Sequence, residues 1–121
     1  MIVIDLDGLK HINDTRGHAA GDELLLKASR IMRDTIRTND VAARLGGDEF
    51  AVLGVECDET AASNLVERLR ENLAAAGVRS SIGWAARKPE FGLRQACGEA
   101  DERMYAEKKA NHESGASSLS H

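Results

Sequence analysis

Two strand-like runs, Val41–Leu45 and Phe50–Val55, flank Gly46-Gly47-Asp48-Glu49, and no other segment limits the fold as much. A glycine pair between such runs marks a β-hairpin, so the two strands must be antiparallel neighbours. An amphipathic segment stands on each side of the hairpin. Asp22–Arg37 puts Leu24, Leu25, Ala28, Ile31, Met32 and Ile36 on one helical stripe. Acids open it and Arg37 closes it, as the helix dipole favours. Thr60–Ala76 repeats the pattern with Ala62, Leu65, Val66, Leu69 and Leu73, and Gly77 is placed to end it.

The rest of the chain completes a symmetric plan. Met1–Leu6 is a short apolar run with β-branched residues and reads as a buried strand. Period two puts Val3, Asp5 and Asp7 on one of its faces, and Ile2, Ile4 and Leu6 on the other. Lys10–Gly21 is polar and turn-rich, with room for one short helical turn. Arg79–Ala86 alternates as a strand. Leu93 to about Ala110 is a third helix, with a stripe of Leu93, Ala96, Cys97, Ala100 and Met104. The order β-α-β-β-α-β-α predicts an α+β, ferredoxin-like split βαβ fold. Its four-stranded, largely antiparallel sheet is expected to carry its helices on one face.

The chain has 121 residues, which fits one domain. Its aromatic content is only 3%, so the core must rest on aliphatic side chains. A net charge of -4 argues against a DNA or RNA polymer as partner, since that binding needs a basic surface. Cys57 and Cys97 have no metal-ligand spacing, and two free buried thiols fit a reducing compartment. No apolar run approaches the ~18 residues of a membrane span. The start MIVIDLDG lacks the basic opening of a signal peptide. The expectation is a cytoplasmic domain without membrane contact. The Ser-rich stretch Glu113–His121 is expected to be a disordered tail after a domain at 1–112.

Three acids stand out. Asp5 lies at the end of the first strand, and Asp48 and Glu49 lie at the hairpin turn. In a split βαβ sheet the first strand is central and sits beside the hairpin, so these carboxylates converge. Clustered carboxylates repel unless a hard cation lies between them, and Mg²⁺ accepts such oxygens while phosphates complete its shell. The plainer reading is strand-end solvation and ordinary turn chemistry. Gly46 and Gly47 can supply the positive φ of a tight hairpin, or let a phosphate or base approach bare backbone. In the stretch Asn13 to Asp22, Asn offers donor and acceptor, and Asp accepts two N–H groups, which suits a guanine edge. Asp22 could equally be a helix N-cap. Lys108 and Lys109 can reach a triphosphate, or simply solvate a helix end.

These residues resemble the GGDEF family of diguanylate cyclases. The matching stretches are Ile4-Asp5-Leu6-Asp7-Gly8, Lys10, Ile12-Asn13-Asp14, Gly17-His18, Gly21-Asp22 and Arg44-Leu45-Gly46-Gly47-Asp48-Glu49-Phe50. Ser81-Ile82-Gly83, Ala100-Asp101, Tyr105 and Lys108 follow in order. The resemblance implies the nucleotide-cyclase or polymerase-palm form of the fold. It implies condensation of two GTP into cyclic di-GMP with release of two pyrophosphates, one GTP being held by each protomer of a homodimer. Mg²⁺ (or Mn²⁺) would be held by Asp5, Asp48 and the backbone oxygen of Leu6. Asp48 would help deprotonate the attacking hydroxyl, with Glu49 in support. Asn13 and Asp22 would read guanine, His18 would lie along the nucleotide, Gly46 and Gly47 would border the substrate, and Lys108 would contact the terminal phosphates.

The family's product-inhibition motif is matched by Arg37-Thr38-Asn39-Asp40. Arg37 would meet a phosphate or guanine of cyclic di-GMP, Asp40 would accept guanine N–H groups, and Arg68 is a candidate for a further product-binding arginine. The plainer reading of Arg37 is helix-end capping. The family's usual preceding segment, with its Asp-x-Leu-Thr-Gly-Leu-x-Asn-Arg motif, is expected to be missing. Asn111-His112-Glu113 stands where Gly-Arg-Asn is frequent in the family. An alternative is a catalytically weak module that senses cyclic di-GMP or GTP.

Overall fold

The computed structural model describes residues 1–54, 59–86 and 92–119, with side chains for all of these except 93 and 112–119. Its elements run β1 (Ile2–Leu6), α1 (Leu9–Arg16), α2 (His18–Thr35), β2 (Val41–Gly46), β3 (Glu49–Leu53), α3 (Glu59–Ala75), β4 (Ser80–Trp84) and α4 (Gly92–Leu119). The four strands form one antiparallel sheet in the order β2-β3-β1-β4. The split βαβ plan expected from the sequence is therefore present, with one helix more than expected. That helix is α1, which occupies the polar stretch read as a single turn. Gly17, with φ of 89°, sits between α1 and α2 in a conformation that L residues rarely adopt.

Every residue of β1 is buried, because the strand is central and covered twice. Ile2, Ile4 and Leu6 pack with Phe50, Val52 and Ile82 beneath Ala28 and Met32 of α2 and Leu65, Leu69 and Leu73 of α3. Val3 faces the other way and packs with Ala96, Ala100 and Met104 of α4. Helices thus cover both faces of the sheet, not the single face expected. Small residues help make this possible: beside Met104, α4 meets the sheet through two alanines, and it lies directly on Gly83. A strand covered on both sides reads as a near-continuous apolar run, which is what Ile2–Leu6 shows apart from Asp5.

Strand β2 differs from the others. It pairs with β3 yet is exposed along its whole length, with Val41 and Leu45 each 56% exposed. The α4 helix lies over β4 and β1 and leaves this edge bare. At its far end α4 continues to Leu119, through the segment expected to be an unstructured tail. Cys97 is a free, half-buried thiol, while Cys57 lies outside the described residues. No helix among the described residues is long and apolar enough to cross a membrane.

Candidate functional site

The site forms where the end of β1 meets the β2–β3 turn. Register places Asp5 opposite Glu49, and the Leu6 amide donates to the Asp48 carbonyl oxygen at 2.9 Å. The turn is therefore fastened to β1 by backbone, and Asp5, Asp48 and Glu49 converge as the sequence implied. Asp5 is buried, with 6% of its surface exposed, although a carboxylate is strongly favoured to remain hydrated. Its Oδ2 accepts from Lys108 Nζ at 2.9 Å, while its Oδ1 is buried with no hydrogen-bond partner.

Burial raises the pKa of Asp5, and although the Lys108 hydrogen bond opposes this, the Asp48 charge adds to it. Burial also raises the pKa of Glu49, with Asp101, Asp5 and Asp48 adding repulsion. For Lys108, partial burial works against the charge. Its bond to Asp5 and the charges of Asp5, Asp48 and Asp7 outweigh that and raise its pKa. One lysine thus faces a group of acids whose mutual repulsion it only partly offsets. Lys108 is not the solvated helix end of the plainer reading, since α4 continues beyond it and its ammonium lies against β1.

This constellation suits a hard cation. All its donors are oxygens, one buried carboxylate oxygen is unpartnered, and two acids resist ionising beside each other. Among the described residues no three His, Cys, Asp or Glu side chains form a ready cage. Mg²⁺ needs none, since it is usually held by one or two carboxylates plus phosphates and water.

Gly46 and Gly47 do not supply positive φ, one of the two roles open to them, since neither lies in the left-handed region. The turn is built otherwise. A register shift falls between Arg44 and Gly46, and the Arg44 guanidinium donates to the Gly46 carbonyl at 3.3 Å and to the Gly47 carbonyl at 2.8 Å. A β-carbon at either glycine would meet nothing within 4 Å. Open space over bare backbone is what remains of the two roles considered, and it suits an approaching phosphate. The clamp by Arg44 had no sequence reading. Neither did the place of Asp101 beside Glu49, because helix periodicity cannot say what a helix residue faces across the fold.

Asn13, half-buried on α1, has its side-chain oxygen against Gly21, which is buried in α2 and adjoins the exposed Asp22. The Asn13 side chain therefore lies one helix position from Asp22, the other residue expected to read a base. Because α2 begins at His18, Asp22 lies inside the helix and is not its N-cap. His18 is exposed at the start of that helix. Farther along, the Asp40 carboxylate is buried and accepts from the Arg37 backbone N–H at 3.1 Å, with the Arg37 guanidinium at 3.9 Å. The Arg37 side chain stays more than half exposed, and Arg68 is exposed on α3.

The family described as "Diguanylate cyclase, GGDEF domain" matches residues 1–114. The probable diguanylate cyclase DgcJ of Escherichia coli (strain K12) is 38% identical over 112 residues, covering 89% of this chain and 23% of that protein. Diguanylate cyclase DosC of the same organism is 37% identical over 83 residues, covering 69% of this chain and 18% of that protein. The chain thus spans less than a quarter of the length of these relatives. Among solved structures, the GGDEF domain of DgcB from Caulobacter crescentus in complex with c-di-GMP superposes with a TM-score of 0.83 at 26% identity. That match covers 90% of this chain and 71% of that one. A sensory box/GGDEF family protein from Caulobacter crescentus CB15 gives 0.72 at 38% identity, covering 90% and 77%.

Proposed function

The chain belongs to the GGDEF domain family of diguanylate cyclases, and on that premise we propose that it condenses two GTP into cyclic di-GMP and two pyrophosphates. The observation that carries this reading is the buried Asp5 carboxylate, bonded to Lys108 on one oxygen and unpartnered on the other, beside Asp48 and the open Gly46-Gly47 backbone. Phosphoryl transfer needs charge neutralisation and in-line placement more than covalent help. Asp5, Asp48 and the Leu6 carbonyl would hold Mg²⁺, which when bound neutralises phosphate charge. Lys108 neutralises the terminal phosphates that become the leaving group. Asp48 accepts a proton from the attacking 3′-hydroxyl, and Glu49, less acidic than usual, supports it. One such site presents one GTP, so the second comes from another copy of the chain in a homodimer. Substrate supply places the domain in the cytoplasm.

Incubation with GTP and Mg²⁺, followed by chromatography of the nucleotides, tests the proposal. Wild type is expected to form cyclic di-GMP and Asp48→Ala none. Cyclic di-GMP binding without turnover in wild type would favour the sensor reading instead.

Base recognition gives a second prediction. A β-carbon at Gly21 would overlap the Asn13 side-chain oxygen, a flexible group that can swing away at little cost. Alanine also gains roughly 1 kcal/mol of helix propensity over glycine. Gly21→Ala is expected to weaken GMP binding about tenfold, the loss of one good hydrogen bond, without lowering thermal stability. Calorimetric titration with GMP and a melting curve read both.

Feedback by product is part of the same reading, with Arg37, Asp40 and Arg68 as its binding groups. Asp40 is buried and fixes its own turn, while the Arg37 guanidinium, though 3.9 Å from the Asp40 carboxylate, is more than half exposed and is the group that can reach a phosphate. Arg37→Ala is expected to relieve inhibition by cyclic di-GMP without changing the initial rate, and inhibition equal to wild type would remove the site.

A further inference from the structure

One flank of α4 carries a repeat that the proposed chemistry does not use. Arg103, Glu107 and Asn111 follow one another at intervals of four residues, so they stand in line along the helix. Each takes a backbone group on the outer edge of β4. Arg103 Nη1 donates to the Trp84 carbonyl at 2.6 Å, and its guanidinium lies 5.7 Å from the Trp84 ring centre. Glu107 Oε2 accepts from the Ile82 N–H at 2.7 Å. Asn111 Nδ2 donates to the Ser80 carbonyl at 3.3 Å and to the Ser81 hydroxyl at 3.2 Å.

The match has a geometric cause. Four helix residues rise about 6 Å. Two strand residues rise about 6.6 Å, and alternate residues of an edge strand turn their N–H and C=O outward. The helix therefore presents one polar side chain per outward position of β4, and it satisfies groups that are costly to leave unpaired. Glu107 also pairs with Arg70 of α3, so the seam ties α4 on one face of the sheet to α3 on the other.

This seam has a consequence for Lys108. Elsewhere α4 meets the sheet through Ala96, Ala100 and Met104 over Val3 and Gly83, apolar contacts that carry no direction and do little to stop the helix rolling on its axis. Directional bonds along one flank fix that roll. Lys108, the residue after Glu107, reaches inward to Asp5 of β1, one strand in from the seam. We infer that Glu107, supported by Arg70 and Asn111, is a positioning residue that sets Lys108 over Asp5 for the terminal phosphates of the nucleotide. The inference rests on the proposed GTP reading and adds a group to it.

The test compares binding of GMP with binding of guanosine α,β-methylene triphosphate, which cannot release pyrophosphate, alongside hydrogen exchange at the Ile82 amide. Glu107→Ala is expected to speed Ile82 exchange and to lose about tenfold of the preference for the triphosphate, as Lys108→Ala does, with GMP affinity unchanged. Glu107→Gln, which keeps an acceptor for the Ile82 N–H, is expected to restore the preference. If Glu107→Ala fails to fold, Asn111→Ala removes only the last contact of the seam and should lose part of the preference. A wild-type triphosphate preference in whichever alanine variant folds, or slow Ile82 exchange in a folded Glu107→Ala, overturns the inference. No triphosphate preference in wild type would instead sink the GTP reading, and the positioning role with it.

Discussion

Asp5→Asn is expected to slow cyclic di-GMP formation by about 10²–10³-fold while leaving the fold as stable as before, or more so. The two effects have one cause. Asp5 is held where burial disfavours its charge, and the Lys108 bond does not fully offset this. Its folded-state pKa lies above the unfolded one, so the protonated form is the one that folding favours. The stability tied to this group is present below the unfolded pKa and is lost as pH rises through the raised one. Glu49 shifts in the same direction. Asparagine keeps the shape and removes the charge, so the variant should lose much of the fall in melting temperature expected of wild type as pH rises from the acid range toward neutrality. The proposed metal and phosphate site loses the carboxylate it is built on. Loss of one preorganised electrostatic group costs about 10²–10³-fold in rate. Melting curves across pH, with and without Mg²⁺, read the first effect. Added Mg²⁺ should stabilise wild type more than the variant. A variant less stable than wild type at neutral pH, or fully active, contradicts the account.

The second large effect is structural. A β-carbon at Gly83 would run into the Ala100 carbonyl oxygen and the Met104 amide nitrogen. Both belong to the α4 backbone, which cannot swing aside as a side chain can. Gly83→Ala must lift the helix from the sheet. Overpacking of this kind costs about 1–3 kcal/mol, a large share of the roughly 5–15 kcal/mol that holds a domain together. The same lift moves Lys108, one turn farther along α4, away from Asp5. Urea denaturation is expected to show a lower midpoint, and the cyclase assay a loss beyond any unfolded fraction. A midpoint equal to wild type would mean that α4 is not seated on Gly83 as described.

Much of this was legible in the sequence, for definable reasons. The hairpin, the two amphipathic helices around it and the convergence of Asp5 with Asp48 and Glu49 follow from local periodicity and from a topology with few alternatives. The face covered by α4 was not legible. Alternation along Ile2–Leu6 says which residues share a face, but it cannot say that a helix far along the chain lies on the second one. Gly46 and Gly47 had two roles open to them in the sequence, a positive φ for the hairpin or bare backbone for a phosphate or base. The bulge and the Arg44 clamp removed the need for the first and left only their openness. Asp101 beside Glu49 and the Arg70–Glu107 pair join distant stretches, and spacing carries no trace of either. Asn111, noted in the sequence as a departure from the family pattern, acquires a part in holding β4.

The acid and lysine cluster is proposed to join two guanine nucleotides. The most direct measurement is the molar ratio of pyrophosphate released to cyclic di-GMP formed during incubation of the protein with GTP and Mg²⁺. The account predicts a ratio of two, with both products absent for Asp48→Ala. Guanosine phosphates released without any dinucleotide would contradict it, as would GTP recovered intact.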